Sequence, residues 1–167
     1  MLVIGAGPCG LGVAKALKEA GIEYGQIEAD REVGGNWFHG VYETAHIISS
    51  RRTTEYADFP MPKNYPDFPS QQQMADYYKL YTDTFGLRES IEFNTKVVAC
   101  FNREDDSWEV EIEIANGAEK TTEKRVYKGV IVCNGHHWDK RFPVFEGEFS
   151  GELMHSKDYK RPEQIQG

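Results

Sequence analysis

Gly5, Gly7 and Gly10 stand at G-x-G-x-x-G spacing and follow directly on Met1-Leu-Val-Ile4, an apolar run short enough to read as a buried strand. A chain that passes from strand to helix through such a turn has few folds open to it. The helix reads from Leu11 to Ala20, with Leu11, Ala14 and Leu17 on one face, Val13 beside them, and Lys15, Lys18 and Glu19 pointing away. Each glycine answers a steric demand: Gly5 the tight turn, Gly7 the close approach of a pyrophosphate, Gly10 the packing of helix on strand. Pro8 and Cys9 complete the loop, and the N–H groups and positive dipole end of the helix face the phosphates.

Glycine-rich turns are common, so the context decides. A second strand, Ile22 to Ile27, ends in Glu28, eighteen residues after Gly10. That is close to the roughly 20-residue spacing at which an acid meets a ribose hydroxyl. The plainer reading of Glu28 is a solvated carboxylate at a strand end; the order of motif, helix and acid favours the ligand. Gly25, Glu23 and Gln26 make this strand less apolar than a buried parallel strand usually is. Next comes Gly34-Gly35-Asn36-Trp37, where paired glycines admit a ligand close to the backbone and Trp37 can wall a pocket.

At 167 residues the chain is about one domain long, or one and part of another. A hydrophobic content of 40% with 13% aromatics is ample for a core, and the net charge of −8 disfavours a nucleic-acid partner. Cys9, Cys100 and Cys133 are odd in number and lack C-x-x-C spacing, which argues for a reducing compartment and against a disulfide framework or zinc site. Helix N-termini are places where thiols become reactive, but nothing in the sequence marks a partner for Cys9, which reads as a small residue packed beneath a cofactor. His136 and His137 lack the further ligands a metal needs. No basic leader precedes the apolar start, and no run of about 20 apolar residues offers a membrane span. A cytoplasmic chain is expected.

Asp58 to Pro69 holds four of the seven prolines and reads as an ordered aromatic-rich loop with buried phenylalanines. Ser70 then opens a helix as N-cap, with Gln73 completing a capping box and Pro69 facing Met74 as a staple. Met74, Tyr77, Tyr78, Tyr81 and Phe85 recur at helical spacing as a core stripe, and Gly86 stops the helix. From Ile91 the period becomes two: Lys96 to Phe101, Trp108 to Ile114 with Glu109, Glu111 and Glu113 outward, and Thr121 to Tyr127 read as an antiparallel meander. Gly129 to Cys133 returns to the continuous apolar pattern of a buried parallel strand, ending at Asn134-Gly135.

This order, with Gly5 to Gly10, Glu28 and Gly34-Gly35-Asn36-Trp37, resembles the FAD-binding half of the two-dinucleotide flavoprotein oxidoreductases. More specific is Phe149-Ser-Gly151-Glu-Leu-Met-His155-Ser-Lys-Asp-Tyr159, which fits the F-x-G-x-x-x-H-x-x-x-Y motif of the flavin-containing monooxygenases. The related Baeyer–Villiger enzymes usually carry tryptophan or proline where Tyr159 stands. Asp58-Phe-Pro-Met-Pro, Tyr65-Pro-Asp-Phe-Pro-Ser70, and Phe85-Gly-Leu followed by Phe93-Asn-Thr-Lys-Val97 look like the same family, so the resemblance covers essentially the whole chain.

The resemblance implies an α/β, Rossmann-like FAD-binding fold, a parallel sheet with helices plus a three-stranded antiparallel meander, truncated before the NADP domain. Residues 1–144 would form the incomplete FAD-binding domain and residues 145–167 a linker to an absent NADP-binding domain. FAD would be held by Gly5, Gly7, Pro8, Cys9, Gly10, Glu28, Gly35, Asn36, Trp37, Val97, Asn134 and Gly135, while Phe149, Gly151, His155 and Tyr159 mark the family. NADPH would reduce FAD by hydride transfer, and the reduced flavin would pass one oxygen atom of O₂ to a nitrogen or sulfur of a small molecule. No catalytic residue is assigned. Many members have an active-site asparagine just upstream of the Asp-Phe-Pro repeat; this chain has Ile48-Ser49-Ser50 there. Its length implies an N-terminal fragment of the enzyme.

Overall fold

The computed structural model describes residues 1–165; the last two positions of the expected 145–167 linker lie outside the described residues. Strands β1 (Leu2–Ile4), β2 (Gly25–Ile27), β3 (Ile91–Glu92) and β7 (Val130–Val132) form one parallel sheet in the order β3-β2-β1-β7. Strands β4 (Thr95–Asn102), β5 (Trp108–Asn116) and β6 (Glu119–Tyr127) form the antiparallel meander. The helices are α1 (Pro8–Glu19), a short α2 (Arg51–Thr54) and α3 (Gln71–Thr84), with a π-helical turn at Asn36–Gly40 and 3-10 turns at Arg88–Ser90 and Pro162–Gln164.

The period of two along β1 explains the layering. Leu2 points into a core shared with Ile27 of β2 and Val110 and Ile112 of the meander. On the sheet's other side Leu11 and Ala14 of α1 meet Met74, Tyr77, Tyr78 and Tyr81 of α3 in a larger core. Helices, parallel sheet and meander therefore form three layers, and the parallel sheet with helices and the separate three-stranded meander are those expected from the sequence.

Several local expectations need correction. Helix α1 begins at Pro8, not Leu11, because proline is preorganised for a first helical position, where its missing N–H costs nothing. The second strand is only Gly25–Ile27. Residues 21–22 belong to the helix end: Gly21 has φ +66, its N–H bonds Lys18 O, and the Ile22 N–H bonds Leu17 O, which is a Schellman arrangement. Lys15 does not point away. It is buried and its ammonium joins Glu19 at 2.6 Å and Asp58 at 2.5 Å, above the Phe85 ring. Lys18, which is exposed, donates to the carbonyls of Phe85 and Gly86 at the C-terminus of α3.

Helix α3 forms as its signals predict: Ser70 accepts from the Gln73 N–H while Gln73 accepts from the Ser70 N–H, and the aromatic stripe is buried. In the loop before it, Phe59 packs on the core but Phe68 is 52% exposed, so only one of the two phenylalanines is covered. Ile91–Glu92 pairs in parallel with β2 before the meander starts, a strand too short for its period to show. Strand β7 is an edge of the sheet with Val132 exposed, so it is not buried on both faces as its continuous apolar run suggests.

Candidate dinucleotide site

The loop between β1 and α1 is built by backbone crowding. Gly5 turns at φ +97, and a Cβ there would stand 2.5 Å from Cys133 O. Gly10, in the first turn of α1, would drive a Cβ into the Gly5 carbonyl, 2.9 Å from its carbon. Both glycines are demanded by the fold. Gly7 differs: a Cβ would have only ordinary contact, its nearest neighbour being Gly35 Cα at 3.7 Å. Gly7 takes the N-cap position with no side chain capping the helix and no acidic residue in the first turn. The first turn thus presents backbone N–H groups and a positive dipole end with no side-chain cap and no acidic residue of its own.

Glu28 closes one side of this loop. Its carboxylate accepts the Ala6 N–H at 2.5 Å and the Asp30 N–H at 2.8 Å. A carboxylate has about four lone-pair directions, so acceptor capacity remains for a hydroxyl. Gln26, 1% exposed, donates to Gly5 O at 2.8 Å, which accounts for a polar residue in a central strand. On the opposite side the Gly34 N–H bonds Ala6 O, and Gly35, with φ +56, lies against Gly7. Asn36 donates to His136 O, joining the π-helical turn to the segment after β7. Asn134 Cα lies 3.4 Å from the position a Gly5 Cβ would take, and Gly135, at φ +74, follows it.

The Tyr56 hydroxyl, pushed well above its ordinary pKa by burial and the neighbouring tyrosines, donates to Pro8 O beneath the loop. Burial likewise pushes the Cys133 thiol up to about 11, with the hydrogen bond from Cys9 adding to it. Surface hollows of about 470 Å³ beside Asn102–Asp105 and about 230 Å³ beside Met1 and Tyr127 both lie away from these glycines.

A glycine turn leading into an uncapped helix, with an acid at the end of the second strand, is the geometry of a dinucleotide cradle. The family model for flavin-binding monooxygenase-like proteins matches residues 1–167. The chain belongs to the flavin-binding monooxygenase-like family. It is 34% identical to flavin-containing monooxygenase 5 of Oryctolagus cuniculus over 99% of this chain and 33% of that protein. Its identity to dimethylaniline monooxygenase [N-oxide-forming] 2 of Mus musculus is 31%, over 100% of this chain and 34% of that one. The chain thus spans about a third of the length of these curated relatives. Among solved structures, Tmm from Pelagibacter sp. strain HTCC7211 superposes with a TM-score of 0.87 at 26% identity, covering 99% of this chain and 43% of that chain. OTEMO in complex with FAD and NADP gives 0.77 at 28% identity, over 93% of this chain and 29% of that chain.

Within this family fold, the residues singled out by sequence divide into two groups. Gly5, Gly7, Pro8, Cys9, Gly10, Glu28, Gly35, Asn36, Asn134 and Gly135 come together around the loop. Trp37 is half-buried with its ring on the helical core, and Gln71 of α3 donates to the carbonyls of Trp37 and Phe38. Val97 stands off in the meander, in the core beneath the sheet, beside a bulge where Val98 leaves the ladder. Phe149 and Gly151 lie in an exposed stretch and touch each other. The rest of the motif docks: the Glu43 N–H bonds Lys160 O, the Lys160 ammonium bonds Gly40 O, and Tyr159 lies against Tyr42 with ring centroids 5.8 Å apart. His155 accepts from the Lys157 N–H and meets Phe142 edge-on.

Sequence reasoning missed the Cys9–Cys133 approach, the Tyr56 and Gln71 hydrogen bonds and the His136 contact. Each partner is separated by at least 33 residues in the chain, and no local spacing could have found it. Among the described residues no cluster of His, Cys, Asp or Glu could hold a metal, and no helix is long and apolar enough to cross a membrane.

Proposed function

We propose that this chain is the FAD-binding part of an FAD- and NADPH-dependent monooxygenase that places one oxygen atom of O₂ on a nitrogen- or sulfur-containing small molecule. The observation that carries the reading is the side-chain-free backbone at Gly7, which takes the uncapped N-terminus of α1 and stands next to the Ala6 N–H held by Glu28. The fit is steric and electrostatic at once: a diphosphate needs close backbone approach and N–H donors, and this loop supplies both. Bound flavin supplies the hydride acceptor and the oxygen chemistry.

The chain's own residues bind and orient. Gly7, Pro8, Cys9 and Gly10 face the pyrophosphate. Glu28 accepts a ribose hydroxyl in its remaining lone-pair directions, and Gly35, Asn36 and Trp37 border the route toward the flavin ring. Asn134 and Gly135 close the end of β7, and Val97 supports the site from the core beneath the sheet. Residues 1–144 form this domain, and residues 145–167, with Phe149, Gly151, His155 and Tyr159, lead toward the NADPH-binding part. A relative named as N-oxide-forming and a structural neighbour described with FAD and NADP support the substrate class and the cofactors. The odd cysteine set supports a reducing, cytoplasmic setting.

A second reading keeps the cofactors but releases peroxide. It draws on Ile48-Ser49-Ser50, where Ile48 is 99% exposed and the serine hydroxyls are engaged by Thr54 and Thr53. The test is a flavin spectrum and NADPH oxidation by the purified longer protein that carries this chain together with its NADPH-binding part, with amine and thioether substrates; the isolated chain is expected to be inactive. Oxygenated product matching NADPH consumed supports the proposal, peroxide matching it selects the second reading, and a protein without flavin overturns both.

A further inference from the structure

Two thiols that are far apart in sequence meet at the edge of the glycine loop. Cys9, exposed, lies in the first turn of α1; Cys133, buried, lies just past β7. Their sulfurs are 3.6 Å apart, with the Cys9 thiol donating to Cys133. Different elements hold them. The Cys133 N–H bonds Ile4 O, its carbonyl sits against Gly5, and Cys9 rides on a helix whose preceding residue is fixed by the Tyr56 hydroxyl. A disulfide needs the sulfurs at about 2.05 Å, so each side chain has to travel less than about 1 Å.

We propose that Cys9 and Cys133 are a reversible dithiol–disulfide pair, oxidised by a peroxide, whose bond ties the first turn of α1 to the end of β7. This inference stands on the sulfur geometry and does not depend on the flavin reading. The exposed sulfur reacts first. The Cys9 sulfur attacks one oxygen of H₂O₂, the O–O bond breaks, and with a proton the leaving hydroxide becomes water, leaving a sulfenic acid. The Cys133 sulfur then attacks the Cys9 sulfur, the S–O bond breaks, and the released hydroxide takes the Cys133 proton as a second water. Two thiols lose two electrons and the peroxide gains them, so the step balances. Burial keeps the Cys133 thiol away from the peroxide and protonated at neutral pH, so Cys9 takes the first step and Cys133 gives up its proton only as it attacks the adjacent Cys9 sulfur. A transient disulfide of this kind is the sort found in reducing compartments.

Cys100 is a built-in control, half-buried in the meander with its thiol pKa also raised by burial. The experiment is peptide mapping by mass spectrometry of the purified protein after graded H₂O₂, with and without subsequent dithiothreitol. The expected result is a peptide pair joined through Cys9 and Cys133, short of two hydrogens and restored by dithiothreitol. It should persist in Cys100→Ser and vanish in Cys9→Ser. Oxidation of Cys9 to sulfinic or sulfonic acid while Cys133 stays a free thiol would overturn the proposal, as would joining of Cys9 to a second molecule. Because the first reading is made on the unaltered protein, it does not depend on any variant folding.

Discussion

In the glycine loop Gly5 and Gly10 have rigid backbone behind them, Cys133 O behind Gly5 and the Gly5 carbonyl behind Gly10, and the Ala6 carbonyl is bonded by Gly34. Between Asn134 and Leu153 every residue is exposed, even Phe145 and Phe149 at 70% and 74%, and the segment is tied to the rest through a few hydrogen bonds such as Asn36 to His136. Both regions carry residues that mark the family. The difference shows that a motif's distinctiveness in sequence and its mechanical hold in the fold are separate properties. One region is specified by what its own backbone cannot tolerate, the other by side chains that reach a neighbouring turn.

The sharpest break in that comparison comes from two substitutions inside the loop. Gly10→Ala puts a methyl group into the Gly5 carbonyl, a backbone group that cannot swing aside, and crowds the Gln26 amide nitrogen at 3.1 Å. We expect a loss of more than about 4 kcal/mol, read as a collapse of the urea or thermal unfolding midpoint. Gly7→Ala meets only Gly35 at 3.7 Å with the backbone at φ −76, so its unfolding midpoint should stay within about 1 kcal/mol of the parent. On the proposed function, Gly7→Val should keep the fold and lose flavin, because its branches would project toward the proposed pyrophosphate position. Equal destabilisation by the Gly10 and Gly7 changes would erase the distinction between a glycine the fold requires and one the ligand requires.

The aromatic core between α1 and α3 gives the next largest effect. The Tyr77 hydroxyl accepts the Tyr56 N–H at 2.8 Å and donates to Phe59 O at 2.6 Å, tying a loop to α3 in the layer beneath the glycines. Tyr77→Phe leaves both backbone groups short of a partner and should cost about 1 to 3 kcal/mol in unfolding free energy. Burial also pushes the Tyr77 and Tyr81 hydroxyls up to about 12. The fold favours their neutral form, so this contribution is complete below the unfolded value of about 10 and is lost as pH rises toward the folded value. An absorbance titration of tyrosinate should therefore lag at high pH and then rise together with unfolding. A single transition near the unfolded value, with the fold intact, would place these rings in water.

How much of this was legible depended on range. The strand–loop–helix unit, the α3 capping box at Ser70 and Gln73 and the alternation of Trp108 to Ile114 are local, and local sterics or periodicity wrote them into the sequence. Lys15 was misread because its partner Asp58 comes from a proline-rich loop, and a charged residue looks solvated until its counterion is placed. Strand β7 looked buried on both faces because an apolar run reports side-chain type, not the number of neighbouring strands. The Cys9–Cys133 pair was invisible for the same reason: a crossover of 124 residues brings the thiols together, and no spacing rule spans it.

The smallest expected effect tests the loosely tied region. Lys160 anchors the C-terminal half of the family motif through its ammonium on Gly40 O at 2.7 Å, and burial together with Lys157 lowers its pKa. The ammonium therefore sits in an environment that disfavours its charge, so the net gain from this contact is small. Lys160→Met keeps the side-chain stem but removes the donor, and the backbone bond from Glu43 to Lys160 O remains. Global stability should change by no more than about 0.5 kcal/mol, the scale of a surface substitution. Local protection should change much more: amide exchange at Glu43 and around residues 155–161 should quicken, because the docked turn opens without the core opening. A fall in the global midpoint as large as that of Tyr77→Phe would mean that the motif segment unfolds with the core, and the contrast drawn between the two regions would fail.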